Sequence, residues 1–182
     1  KLRFKLMRQR QGLLCLIDEL FQVSRRRRLL SCRQCQRAAQ ALSQVLEGAA
    51  DQREDYWKHR AQPFWQQIWP KSRDLATPRI AESLTRLVIA ARGEFPRALT
   101  AVYDWLQPIE RPHYVVHLLY ESGLCKRFPT EVLQLLNAVI ADQQWAPREL
   151  GQCLDEIAGV ASQLAQDSRY LKLREYSRRR GM

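Results

Sequence analysis

The sequence predicts an all-α chain of paired helices, and three observations carry that prediction. The first is composition: 46% of the 182 residues are apolar and only seven are glycine, and long stretches of Ala, Leu, Gln, Glu and Arg favour helix over sheet. The second is punctuation. Pro78, Pro96, Pro112, Pro129 and Pro147 succeed one another at gaps of 18, 16, 17 and 18 residues. Proline suits the first turn of a helix, where its missing N–H has no partner to lose, and it disrupts a helix interior. Each of the five is therefore expected to open a helix. The third is a repeat: Phe95-Pro96-Arg97-Ala98-Leu99, continuing through Val102 and Leu106, matches Phe128-Pro129-Thr130-Glu131-Val132, continuing through Leu135 and Val139, at a constant offset of 33. Two helices per 33 to 35 residues is the period of HEAT/TPR-like solenoids, in which antiparallel pairs stack and bury their apolar faces against neighbouring pairs. The plainer alternative is a helical bundle with evenly spaced prolines.

The chain divides into a basic N-terminal helical pair, residues 1–50, and a helical-repeat domain, residues 51–182, expected to form one continuous fold. Because it starts at Lys1 rather than at methionine, it reads as a fragment of a larger protein. Net charge is +11, distributed as +9 over residues 1–40, −2 over 41–166 and +4 over 167–182. The positive charge thus sits at the two ends.

Lys1 to Val23 reads as an amphipathic helix, with Leu2, Leu6, Leu13, Leu16, Ile17 and Leu20 on one stripe and Lys1, Arg3, Lys5, Arg8 and Arg10 on other faces. Arg25, Arg26, Arg27 and Arg28 follow. Phosphates brought near such a run release condensed counterions, which suits a nucleic acid or another polyanion. The run has no interleaved aromatic residues for base stacking, and a basic inter-helix loop is the alternative. Leu29 to Leu46 is the next helix, with Cys35, Ala38, Ala39, Leu42, Val45 and Leu46 at helical spacing and Gly48 as its stop. Its Cys32-Arg-Gln-Cys35 lacks the second ligand pair that structural zinc needs, and His59 stands alone, so both cysteines read as small core residues.

Asp51 to Trp69 gathers Tyr56, Trp57, Phe64, Trp65 and Trp69, with Pro63 expected to kink or restart the helix. These large rings are expected to seal the first repeat. Alternatively, Trp57, Trp65 and Trp69 form a partner-binding hot spot. Pro70 to Ala76 is a loop, and Thr77 caps the helix that Pro78 opens. Ile80, Leu84, Leu87, Val88 and Ala91 share one face of that helix; Val115, Leu118 and Leu119 play the same part in the next pair. Gly93 and Gly123 fall where helices end and a left-handed residue is welcome. His113 and His117 share a face, but the residues between them complete no HExxH-like site. Leu150, Cys153, Leu154, Ile157 and Ala161 open a third, degenerate or capping pair. Tyr170, Leu171, Leu173 and Tyr176 mark a last short helix before Arg178-Arg179-Arg180.

No apolar run approaches the 18 residues of a membrane span, and no stretch combines a charged start, an apolar centre and a small-residue cleavage site, so a soluble protein is expected. Five scattered cysteines fit a reducing cytoplasm better than a disulfide framework. The sequence offers no catalytic, cofactor-binding or metal-ligating set: it has neither a P-loop nor a Gly-rich phosphate cradle.

Two segments, Phe64-Trp65-Gln66-Gln67-Ile68-Trp69-Pro70-Lys71-Ser72-Arg73-Asp74 and His113 through Pro129 with its Tyr-Glu-Ser-Gly-Leu-Cys-Lys-Arg-Phe-Pro ending, carry a resemblance. Over about Asp55 to Arg180 the chain resembles the C-terminal helical region of large bacterial anti-phage defence proteins whose N-terminal part is a sirtuin-like NAD-consuming domain. The resemblance implies a sensor or scaffold that recognises a phage component or holds an oligomer, with any NAD chemistry in a domain outside this chain. Two functions follow as expectations. One is a non-catalytic interaction module that binds a protein partner or the rest of its parent chain. The other is a nucleic-acid-binding domain using Arg25 to Arg28 with Arg8 and Arg10.

Overall fold

The computed structural model describes residues 31–48, 53–70, 73–140 and 146–178, and every regular element among them is helical. The basic helix expected over Lys1–Val23, with Arg8 and Arg10, lies outside the described residues. So do Arg25, Arg26, Arg27 and Arg28, the side chains of Val45 and Leu46, and the tail beyond Arg178.

Helix α1, Cys32–Gly48, starts from a reciprocal cap. The Ser31 N–H donates to Gln34 Oε1 at 2.8 Å and the Gln34 N–H donates to Ser31 Oγ at 3.4 Å. Two N-terminal donors that the helix cannot satisfy are thereby paired, which fixes where the chain turns into helix. Cys35, Ala38, Ala39 and Leu42 are buried on its inner face. These residues are mostly small, which lets α1 lie close against a neighbour.

The aromatic segment stays helical from α2, Arg53–Tyr56, through a π turn at Trp57–Ala61, to α3, Gln62–Gln67. Pro63 therefore does not end the helix. The Gln62 N–H donates to the Trp57 carbonyl, five residues back, and the wider turn accommodates a residue that lacks an N–H and whose ring would crowd the carbonyl four residues earlier.

After a 3-10 turn at Arg73–Leu75 comes α4, Pro78–Ala90. Thr77 caps it, its Oγ1 accepting from the Ile80 N–H at 3.3 Å. Ile80, Leu84, Leu87, Val88 and Ala91 are all buried, as their spacing requires. The remaining helices are α5, Phe95–Val102; α6, His113–Ser122; the single turn α7, Leu124–Arg127; α8, Pro129–Val139; α9, Leu150–Val160; and α10, Ser168–Arg178.

Pro78, Pro96 and Pro129 occupy the first or second helical position, and Pro112 is the residue immediately before α6. Pro147 departs from the expectation. It lies in the turn before α9, with its carbonyl accepting from the Leu150 N–H at 3.2 Å. Gly123 takes the left-handed conformation at φ 69°, as expected of a helix-ending glycine. Gly93 does not; Arg92, one residue earlier, takes it instead at φ 52°. The reason is tertiary: Arg92 Nη1 donates to the Ser122 carbonyl at 2.9 Å, thirty residues away. That bond offsets a conformation costing a side-chain-bearing residue about 1–2 kcal/mol. The repeat also loosens after α5, because Leu106 is extended rather than helical.

Helix α1 packs on α4. Beyond it, α4 contacts α5, α6 contacts α7, α7 contacts α8, and α9 contacts α10. The helices α4, α6 and α9 touch in succession, as do α5, α8 and α10. One contiguous apolar core results, running from Cys35 to Tyr176. Phe95 and Phe128, the two residues that open the matching segments 33 apart, lie face to face with ring centroids 6.0 Å apart and an 18° tilt.

Candidate functional site

The tryptophan-rich segment supplies the candidate site. On α3, Trp65 and Phe64 are adjacent in sequence and leave the helix on different sides: Phe64 is fully buried, whereas Trp65 is half-buried. The chain leaves the helix at Ile68, whose N–H, like that of Trp69, donates to the Phe64 carbonyl. This ending brings Trp69 back over Trp65, with the rings stacked at 4.4 Å and 20°. Trp105, from the 3-10 turn after α5, closes the group edge-on, 5.2 Å from Trp69 and 6.2 Å from Trp65. Phe64 meets Trp69 edge-on at 6.3 Å. Offset-stacked and edge-to-face pairs place the positive rim of one ring near the negative face of another, a gain of about 0.5–1.5 kcal/mol per pair beyond area burial.

The three tryptophans singled out from sequence therefore do different work. Trp57, 1% exposed, is a core residue with no surface to offer. Trp69, 6% exposed, is the keystone of the cluster. Trp65 is partly buried against the core, as are Ile68 and Leu106. The indole N–H groups of Trp57 and Trp69 find no acceptor among the described residues. Sequence reasoning missed Trp105. It reaches Trp65 and Trp69 only through the path of the chain, and no local spacing signals that.

Charged groups tie this segment to its neighbour. Lys58 Nζ lies 3.2 Å from Glu94 Oε1, and Arg97 Nη1 lies 3.3 Å from Glu94 Oε2. Both cations are substantially exposed, so each pair contributes about 0–1 kcal/mol, and together they orient the turn before α5.

The other sequence candidates are placed as follows. His113 and His117 are exposed on α6, and His117 Nδ1 faces Glu149 Oε1 at 3.7 Å. No group of metal-ligating side chains occurs among the described residues. Cys35, Cys125 and Cys153 are fully buried. Cys125 and Cys153 point their sulfurs at the carbonyls of Leu119 and Val116 at 4.0 and 3.8 Å. The hydrogen bond with Cys125, reinforced by burial, pushes the Cys153 thiol far up, so it stays protonated. At the start of α10, Asp167 accepts from the Arg169 backbone N–H at 2.8 Å and from its guanidinium at 2.6 and 3.0 Å. The Arg169 hydrogen bonds hold its carboxyl at about 2.

Compared with protein-family models, curated proteins and solved structures, the chain finds no match. Among the described residues no helix is long and apolar enough to cross a membrane.

Proposed function

We propose that the chain is a non-catalytic helical-repeat interaction module, its helix pairs stacked as a short HEAT/TPR-like solenoid, that binds a protein partner through the edge where Trp65 is partly exposed. The observation that supports this most directly is the order of helix contacts. Helices α4, α6 and α9 follow one another, α5, α8 and α10 follow one another, and the repeat-equivalent Phe95 and Phe128 stack across the junction. A stack of this kind exposes an extended surface without needing a catalytic centre. Trp65 on that surface is a residue type that dominates binding energy when a partner covers it. The resemblance to the C-terminal region of sirtuin-like anti-phage proteins supports a sensor or scaffold role in bacterial defence, with a phage component or an oligomeric assembly as the partner class.

The test is affinity enrichment from the source organism with the tagged chain and its Trp65→Ala variant as baits. A protein retained by the first and lost with the second supports the reading; identical retention by both counts against it.

A second reading rests on the +9 charge of residues 1–40. If that segment grips a nucleic acid, affinity for a fluorescent oligonucleotide falls steeply between 50 and 200 mM salt, by roughly 10³ for six phosphate contacts. Reversing Arg25, Arg26, Arg27 and Arg28 to Glu would then abolish binding. A shallow salt dependence that survives the reversal sinks this alternative.

A further inference from the structure

The outer face of α1 differs in chemistry from the face packed on α4. Arg33, Arg37, Gln40 and Gln44 are exposed, and at 100° per residue they fall within about 60° of one another, a single stripe. Cys35, Ala38, Ala39 and Leu42 are buried on the opposite side, so the packing on α4 holds the stripe toward solvent. From Leu20 to Leu46 the chain carries Arg25, Arg26, Arg27, Arg28, Arg33 and Arg37 and no Asp or Glu. Among the described residues, neither the Arg33 nor the Arg37 guanidinium has a carboxylate partner. Like charges gathered in this way repel one another, and an anionic partner relieves that repulsion.

We infer that the outer face of α1 is a docking surface for double-stranded DNA, seated in the major groove. Charge complementarity is the first argument: an acid-free arginine stripe meets a continuous row of phosphates and releases their condensed counterions. Dimensions are the second. A helix of 17 residues is about 25 Å long and about 10–12 Å across with its side chains, and the major groove of B-form DNA, about 12 Å wide, admits it. Side-chain chemistry is the third: Arg forks onto phosphate oxygens or a guanine edge, and Gln pairs with an adenine edge. Other nucleic acids fit less well. The major groove of duplex RNA is too deep and narrow for side chains to read, and single strands are held by stacking on rings, of which α1 has none.

The inference deepens the second reading above and rests on it for the class of partner; it adds the residues that dock and the form of nucleic acid they fit. The test is fluorescence anisotropy of a labelled DNA duplex of about 20 base pairs with the full chain at about 50–200 mM salt, against the single strand and the RNA duplex of the same sequence. The DNA duplex is expected to bind most tightly. Arg33→Gln and Arg37→Gln are each expected to weaken it about tenfold at about 100 mM salt, and the two together to lower the slope of log affinity against log salt by about 2. Gln40→Ala with Gln44→Ala is expected to weaken binding and leave the slope in place, because amides release no counterions. As a control, Lys172→Gln with Arg178→Gln removes two exposed charges from α10, and affinity is expected to change by no more than about twofold. Circular dichroism and its thermal midpoint report that each variant is folded. An Arg33→Gln, Arg37→Gln variant that binds like the parent, a loss no larger than that of the α10 control, or tighter binding of the single strand or the RNA duplex overturns the inference. Binding that is abolished by reversing Arg25 to Arg28 and indifferent to Arg33 and Arg37 would overturn this docking face and keep the second reading. Absence of binding to all three probes at the lowest salt would reject both.

Discussion

The stacked rings of Phe95 and Phe128 give the most direct test of how α5 and the start of α8 hold one another. Phe95 is fully buried and Phe128 partly so, with the rings 6.0 Å apart and tilted by 18°. Replacing either by leucine keeps an apolar side chain and removes the ring. Each single change should cost about 1 kcal/mol or more, from imperfect repacking of a smaller branched side chain and from loss of the ring pair. The ring pair itself, about 0.5–1.5 kcal/mol, is lost in whichever single variant is made first and cannot be lost again. The double variant should therefore cost less than the sum of the singles by that amount. Urea unfolding followed by circular dichroism, with a common slope for the four proteins, measures the difference. Additivity to within about 0.3 kcal/mol would show that the rings are uncoupled. Helices α5 and α8 would then be joined by general apolar burial, and the ring contact would contribute nothing of its own.

Three further outcomes follow from the structure. Trp57→Ala should destabilise the fold by about 3–5 kcal/mol, whereas Trp65→Ala, at a half-buried ring, should cost only about 1–2 kcal/mol; denaturant midpoints distinguish the core residue from the accessible one. At Gly123, φ is 69° and an added Cβ would meet nothing within 4 Å, so Gly123→Ala should cost about 1–2 kcal/mol from conformation alone and Gly123→Asn clearly less, read from thermal midpoints. The Asp167 carboxyl, held at about 2 by Arg169, lies below its unfolded value of about 3.9. Its stabilising contribution is complete above the unfolded value and is lost as pH falls through 2. The stability gap between the parent chain and Asp167→Asn should accordingly be constant near neutrality and shrink on acidification from pH 5 to pH 2; a gap that widens would contradict the assignment.

Much of the local structure was legible because its causes lie within one helical turn. Thr77 before Pro78 predicts a cap, and the cap is present. The spacing of Ile80, Leu84, Leu87 and Val88 predicts one buried face, and all four are buried. The Ser31 and Gln34 cap was equally local and was overlooked, although Ser-x-x-Gln ahead of an amphipathic run is a usable signal. Pro63 was legible as a disturbance but not as a π turn, because whether a helix bends, stops or widens at proline depends on what its two flanks are packed against. The preference for Gly93 over Arg92 failed for a related reason. Intrinsic conformational cost favours glycine, and a hydrogen bond to Ser122 reverses the choice.

By itself, the sequence determined that the chain is helical, where most of its helices begin, and which side of each is apolar. Those properties are set by residues three or four positions apart, whose relation is the same in any helix of that composition. Only the tertiary structure decided that Trp105 completes the ring cluster and that Trp57 is buried while Trp65 is only partly so. Contacts of that kind depend on where whole helices come to rest against one another. That placement is fixed by close packing summed over the entire core, which no short stretch of sequence contains.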